Sequence, residues 1–197
     1  MTPIVTRSVE ELAGRRKTAR EFRNDSLKTD DVMYCIRAAV QAPSGANRQP
    51  WRFVMVDDPV MKAKIREACE RQEKRHHESV DAGLKAWFRM KNISWQKPFL
   101  TEAPILLAVF SDQTMPYATE STWLAIGYLI LALEERSLST VTYTPSHPEN
   151  VGSVFNAPEE YKLETVLPIG HSADAKPKES RRPLDSSLYR NVWGKQL

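Results

Sequence analysis

Ala42-Pro43-Ser44-Gly45-Ala46-Asn47-Arg48-Gln49-Pro50-Trp51-Arg52-Phe53 is the stretch on which the reading of this chain turns. It sets a helix end, a glycine turn and two prolines directly ahead of residues suited to a strand. Pro43-Ser44-Gly45 closes a helix that begins at Thr29, where Asp30 and Asp31 favour the positive end of the dipole. Val32, Ile36, Ala39 and Val40 share one face of that helix. Trp51 to Val56, rich in aromatic and β-branched side chains, reads as the strand that follows. So rigid a loop, with its backbone exposed, can present N–H groups and amide side chains to a planar heterocycle. An ordinary helix-to-strand connection uses the same residues.

Upstream, Ser8-Val9-Glu10-Glu11 has the pattern of a capping box, opening a short helix that Gly14 ends. Arg15-Arg16-Lys17-Thr18-Ala19-Arg20 comes next. If this segment is extended, Arg16, Thr18 and Arg20 project to one side. Two guanidiniums and a hydroxyl then converge as a phosphate dianion requires. A solvated basic stretch after a helix accounts for the same residues.

Downstream, Asp58-Pro59 starts another helix with proline at its first position. It runs into a very polar tract, Glu70 to Ser79, and then into a segment mixing charge with Trp87, Phe88, Met90, Ile93 and Trp95. Residues 70–98 suit a mobile lid that closes over something flat. Ile105 to Phe110 is a buried strand, and Ala118 to Glu135, apolar nearly all round at its centre, is the core helix. Thr140 to Thr144 reads as a strand, His147 to Phe155 as a short helix and Glu164 to Gly170 as the last strand. The tail from Pro177, with Arg181 and Trp193, has little periodicity and needs either a partner subunit or its own chain to pack against.

Bulk properties narrow the function classes. The 197 residues, 41% hydrophobic and 27% charged, describe one folded domain over 1–197 without repeats or linkers. A net charge of +3 with basic and acidic residues interleaved argues against nucleic acid. No apolar run is long enough for a membrane span and the first residues lack a signal-peptide core, so the expected location is cytoplasmic. Cys35 and Cys69 are expected as buried thiols, and neither they nor the four histidines have metal-ligand spacing, so no metal is predicted. With only seven glycines and no GxGxxG, a separate Rossmann domain for NAD(P)H is not expected.

The basic stretch and the P-S-x-x-N-x-Q-P-W-x-F loop, in this order and separation, resemble the nitroreductase superfamily. The likeness is closest to its iodotyrosine-deiodinase-like branch and covers roughly Arg15 to Asp185. It takes in Ala42-Pro43-Ser44-Gly45-Ala46, Pro50-Trp51, Phe53-Val54, Asp58-Pro59 and Lys64-Ile65-Arg66. It continues through Ala103-Pro104-Ile105-Leu106, Thr140-Val141-Thr142, Thr144-Pro145, Leu167-Pro168, Gly170, Arg181 and Pro183-Leu184-Asp185. The resemblance implies an α+β fold, a mainly antiparallel central sheet flanked by helices, with the C-terminal arm (residues 176–197) exchanged in a homodimer.

It also implies an FMN site. Arg16, Lys17, Thr18 and Arg20 match phosphate and ribityl contacts, with Lys17 where the branch usually has Arg. Ser44 and Asn47 match flavin contacts, and the Ala46 backbone matches the resting place of a substrate phenol. Thr142, Tyr143 and Thr144 match the strand end beneath the flavin, Thr144 corresponding to the hydroxyl donor to flavin N5 that favours one-electron steps. Arg181 matches a phosphate contact that reaches into the partner subunit. In the lid, Glu73 and Lys97 match residues that pair with an amino-acid zwitterion, whereas His77 stands where the branch has Tyr. Glu73 and His77, spaced i,i+4, share a helical face, and an exposed surface pair is the plain alternative. Ser137 stands where relatives often place Gly; at positive φ it costs about 1 kcal/mol.

These matches imply reductive dehalogenation of a substituted phenol such as a halotyrosine. An NAD(P)H-dependent nitroreductase or quinone reductase working by hydride transfer is the alternative, and flavin binding without turnover a third. Electrons would come from NAD(P)H or from a separate reductase. The partners implied are a small aromatic substrate and a second copy of the chain.

Overall fold

β2 (Ile105–Asp112) is buried along its whole length, and the sheet is built on it. The computed structural model describes residues 7–91 and 93–196; Asn92 of the expected lid and Leu197 of the expected arm lie outside them. β1 (Trp51–Val56) and β4 (Tyr161–Gly170) flank β2, and the short β3 (Ser139–Thr140) pairs with β4, giving an antiparallel order β1-β2-β4-β3.

Alternation along β2 sends Leu106, Ala108 and Phe110 into one apolar layer and Ile105, Leu107 and Val109 into the other. The first layer packs with Ile65 and Cys69 of α3 (Pro59–Ser79), Phe99 and Leu100 of α5 (Phe99–Glu102) and Val151 of α7 (Pro148–Gly152). The second packs with Val32 and Cys35 of α2 (Thr29–Ala39) and with Ile126, Leu129 and Leu133 of α6 (Ala118–Glu135). The chain therefore adopts the expected α+β architecture. Cys35 and Cys69 are buried and unbridged, and burial pushes each thiol up to about 12.

Local signals account for most boundaries. The capping box forms at α1 (Val9–Arg15): Ser8 Oγ accepts the Glu11 N–H and Glu11 accepts the Ser8 N–H. The Asp58 side chain accepts the Met61 N–H ahead of Pro59. α6 ends in a Schellman arrangement, Leu138 N–H to Leu133 O and Ser137 N–H to Glu134 O, and Ser137 sits at φ 57.

As expected, the helix begun at Pro59 carries on through the polar tract, α3 running unbroken to Ser79, and a further helix, α4 (Ala82–Met90), starts at an Asp81 cap. Two expectations change. The strand expected over Thr140 to Thr144 stops at Thr140, after which Tyr143 makes a single bridge to Val166. The last strand begins at Tyr161 and carries a β-bulge. Val109 faces Thr165 and Phe110 faces Leu163, so Glu164 has no partner in the β2 register. The bulge reverses the alternation, so Leu163 and Val166 enter the same layer although an odd number of residues apart.

Candidate active site

The segment after α1 is extended and adds itself to the sheet edge. Thr18 forms a parallel bridge with Thr140, and the Ala19 N–H donates to Thr140 O at 3.1 Å. In a segment extended in this way, strand alternation would send Arg16, Thr18 and Arg20 to one side. Arg16 Nε is buried and has no hydrogen-bond partner among the described residues. Burial and the neighbouring Arg181 guanidinium both lower the Arg16 pKa, with Glu134 opposing them. A buried guanidinium N–H left without a protein partner is a group that can take an anion's oxygen.

Lys17 departs from expectation. Its ammonium, on the other side of the strand, donates to the carbonyls of Asp174 and Lys176, both at 2.6 Å. These bonds keep it out of the arginine group, and they form part of a strap. Ala173 N–H donates to Glu21 O, Arg23 N–H to His171 O, and Arg20 N–H to Asp174 Oδ2. Lys178 Nζ caps the end of α1 through the carbonyls of Ala13 and Gly14, at 2.6 Å each. Burial raises the Asp174 pKa, but the Lys176 and Arg20 N–H groups and the Lys17 charge outweigh it, holding the carboxyl below its ordinary value.

The 43–49 loop enters β1, the sheet edge opposite β3. Ser44 Oγ accepts the Gln49 N–H at 3.0 Å, and the Gly45 N–H donates to Ser121 Oγ at 3.2 Å. A Cβ on Gly45 would lie 2.8 Å from Tyr117 Cδ2 and 3.3 Å from Pro116 O, so only glycine fits without movement. Ala46, Asn47 and Gln49 all have positive φ, at 49°, 55° and 50°. Such left-handed non-glycine residues cost about 1 kcal/mol or more each and cluster at binding sites. Ala46 and Asn47 are exposed.

At the end of the broken strand, Thr142 is half-buried, while Thr144 is exposed and donates its hydroxyl to Glu164 O at 3.1 Å. Tyr143 corrects the expected cofactor contacts. Its ring is buried, its hydroxyl donates to Glu73 Oε1 at 3.2 Å, and its main-chain N–H and carbonyl both pair with Val166. Its hydroxyl proton and both main-chain groups are thus engaged within the protein.

The lid residues meet where expected, in a form other than a surface pair. Glu73 is only 9% exposed; it faces Lys97 Nζ at 3.3 Å and accepts the Ser146 N–H at 3.2 Å. Lys97 Nζ also donates to Ser94 O and lies 5.7 Å from the Tyr143 ring centroid. His77 stacks on Phe88 of α4, with ring centroids 4.4 Å apart and 23° between planes. Burial and the Lys97 charge lower its pKa, and Glu73 and His76 act with opposite signs.

The nitroreductase family model matches residues 13–171. The chain belongs to this family. It is 48% identical over 174 residues to an iodotyrosine deiodinase of Thermotoga neapolitana, covering 88% of this chain and 94% of that one. It is 34% identical over 202 residues to human iodotyrosine deiodinase 1, covering 94% of this chain and 70% of the human one. A crystal structure of oxidized iodotyrosine deiodinase bound to FMN and 3-iodo-L-tyrosine superposes with TM-score 0.88 at 45% identity, covering 94% of this chain and 99% of that chain.

One buried acid next to these residues escapes sequence reasoning. Glu164, 3% exposed, accepts from Ser111 Oγ at 2.6 Å, Thr119 Oγ1 at 2.7 Å and Trp123 Nε1 at 3.1 Å, with Lys162 Nζ at 3.2 Å. Burial alone would raise its pKa, but the Ser111, Thr119 and Trp123 donors and the Lys162 charge outweigh burial and hold it below its ordinary value. The signal was a single acid inside an otherwise buried strand.

Proposed function

We propose that this chain is an FMN-dependent oxidoreductase that reductively dehalogenates a substituted phenol such as a halotyrosine. The observation that carries this reading is its likeness, along nearly its whole length, to a deiodinase structure holding FMN and 3-iodo-L-tyrosine. The chain's own residues fit the cofactor. Arg16 Nε, buried without a partner among the described residues and within the field of Arg181, is suited to a phosphate, and strand alternation would add Thr18 and Arg20 to it.

When bound, FMN would supply two electrons; with these and one proton the ring's carbon–halogen bond is replaced by a carbon–hydrogen bond, and the halogen leaves as halide. Ser44 and Asn47 would meet the flavin edge, with Thr142 and Thr144 beneath it. Thr144 holds a hydroxyl proton that it can redirect from Glu164 O toward the flavin. The Ala46 main chain would carry the phenol. Glu73 and Lys97 neutralise each other without substrate; a zwitterion brings one charge for each and can exchange for that pair. The lid over 70–98 keeps water from the site when closed.

Further parts of the reading concern partners. A homodimer is supported by exposed apolar residues on α6 (Trp123, Leu124, Tyr128) and along the tail (Leu184, Val192, Trp193). The entry of the 43–49 loop at the sheet edge opposite Thr18 also supports it, since a second copy can bring the two groups together. The proposed setting is the cytoplasm, with NAD(P)H or a separate reductase as electron donor. Among the described residues no helix is long and apolar enough to cross a membrane. His77, in place of the branch's Tyr, favours one second reading: an NAD(P)H nitroreductase or quinone reductase with a different aromatic substrate.

The test is anaerobic incubation of the chemically reduced, FMN-loaded chain with 3-iodotyrosine, measuring iodide. Stoichiometric iodide with loss of the ring–iodine bond is expected. No iodide, with rapid NADPH-driven reduction of nitroarenes, would replace the first reading by the second.

A further inference from the structure

Glu164 is held from two sides. Its carboxylate accepts hydroxyl bonds from Ser111 on β2 and Thr119 on α6, and an indole N–H from Trp123 on α6. Its main chain is the extra residue of the β4 bulge, outside the register with β2. Its carbonyl, on the β4 side away from β2, takes the Thr144 hydroxyl at 3.1 Å. Bulges re-aim groups of a strand, and this one is fixed by donors from two other elements.

We infer that Glu164 is a positioning residue: its clamped bulge fixes the carbonyl that holds the Thr144 hydroxyl, and so sets where that hydroxyl's proton is kept.

A threonine hydroxyl has one proton to give. While the Glu164 carbonyl takes it, Thr144 offers only lone pairs to the space it faces. Rotation about χ1 redirects the donor, and threonine divides itself between rotamers according to the acceptor within reach. A carbonyl that cannot move makes that division definite; a loose one lets the hydroxyl wander. The clamp also joins two parts of the site. Thr119 and Trp123 lie on either side of Ser121, whose hydroxyl receives the Gly45 N–H. The Glu164 carboxylate thereby ties Thr144 to the helix end that carries the 43–49 loop.

The catalytic arm of this inference rests on the reading of Thr144 as facing the cofactor, so the test has two independent parts. The first uses the chain without FMN and follows threonine methyl resonances by NMR. Glu164→Leu removes every acceptor of the clamp and is expected to shift the Thr144 methyl and average its rotamers. Glu164→Gln keeps one acceptor oxygen and is expected to restore most of the parent signal. A Thr144 methyl unmoved by Glu164→Leu overturns the inference, whatever the activity.

The second part is a double-mutant cycle on halide release by the FMN-loaded chain. Glu164→Leu is expected to lower kcat roughly ten- to hundredfold with KM unchanged. In a Thr144→Ala background it should cost nothing further. Effects that multiply show that Glu164 does not act through Thr144, and overturn the inference. Thr144→Ala with parental kcat sinks the functional reading of Thr144 instead, and the methyl experiment still decides the tether. Should Glu164→Leu fail to fold, Ser111→Ala with Thr119→Val loosens the clamp while keeping the acid, and the same two readouts apply.

Discussion

Glu73 and Glu164 are both buried acids, and they grip neighbouring residues of one short segment from different sides. Glu73 takes the Tyr143 hydroxyl and the Ser146 N–H, while the Glu164 carbonyl takes the Thr144 hydroxyl. What satisfies their charges differs. Glu73 faces an ammonium, Lys97, whose side chain is itself 9% exposed. Glu164 is met mainly by neutral donors on two elements, and its one cation, Lys162, stands 45% exposed. A buried ion pair can be traded for another pair of charges, so it suits a lid that admits a zwitterion. Three neutral donors fixed in the framework cannot be replaced by one ligand. On the proposed function, the same residue type would serve as an exchangeable contact in one place and as a fixture in the other.

The largest effect should come from breaking the ion pair. Glu73→Ala strands the Lys97 ammonium and should cost about 3–5 kcal/mol in urea unfolding. A loss below about 1 kcal/mol would mean that Lys97 reaches water, and the contrast with Glu164 would collapse. Glu164→Gln should cost less, about 1–2 kcal/mol, because the amide keeps one acceptor. Its signature is in pH. The folded pKa of Glu164 lies below its ordinary value, so the stability it contributes is present above pH 4.5 and drains as pH falls through the lowered value. Unfolding curves from pH 7 to 3 should show that slope in the parent and lose it in the Gln variant.

A smaller effect is expected at His77. Its folded pKa is lowered by burial and Lys97, so the packing on Phe88 favours the neutral ring. As pH falls below 6.5, the unpacked ring takes up a proton more readily than the packed one, and the packing weakens. Hydrogen exchange of residues 82–90, corrected for intrinsic rate, should rise between pH 7.5 and 5.5, and His77→Phe should flatten that rise. The smallest change tests independence. Ser137→Gly relieves the positive φ of the α6 Schellman turn and should add about 1 kcal/mol, whether Glu73 and Glu164 are intact or substituted.

How far these features could be read in advance follows the reach of the signals. Ser8 with Glu11, and Asp58 with Pro59, act within four residues, and both caps formed. The apolar run of α6 fixed its limits at Ala118 and Glu135 because nothing in it competes with helix. The nitroreductase-like order of motifs carried the fold and pointed to Arg16, Thr144 and the Glu73–Lys97 pair. Tyr143 was misread because the alternation that lines up Thr142 and Thr144 turns the residue between them into the core. Glu164 was missed because a bulge has no local code: it shows only when Leu163 and Val166 are seen to share a layer. Lys17 looked like a third phosphate contact, and only the return of the chain near Asp174 reveals where its ammonium goes.

The strap that occupies Lys17 and Lys178 governs how far the tail can wander. Its last recorded fastening lies at the end of α1, and Arg181 follows only three residues later. Fully extended, that leash is about 10 Å long. The local concentration of the Arg181 guanidinium around Arg16 is therefore set by tether length, before anything docks on the residues beyond it. A chain cut after Pro183 would lose whatever the far tail reaches for, while both guanidiniums stayed on station.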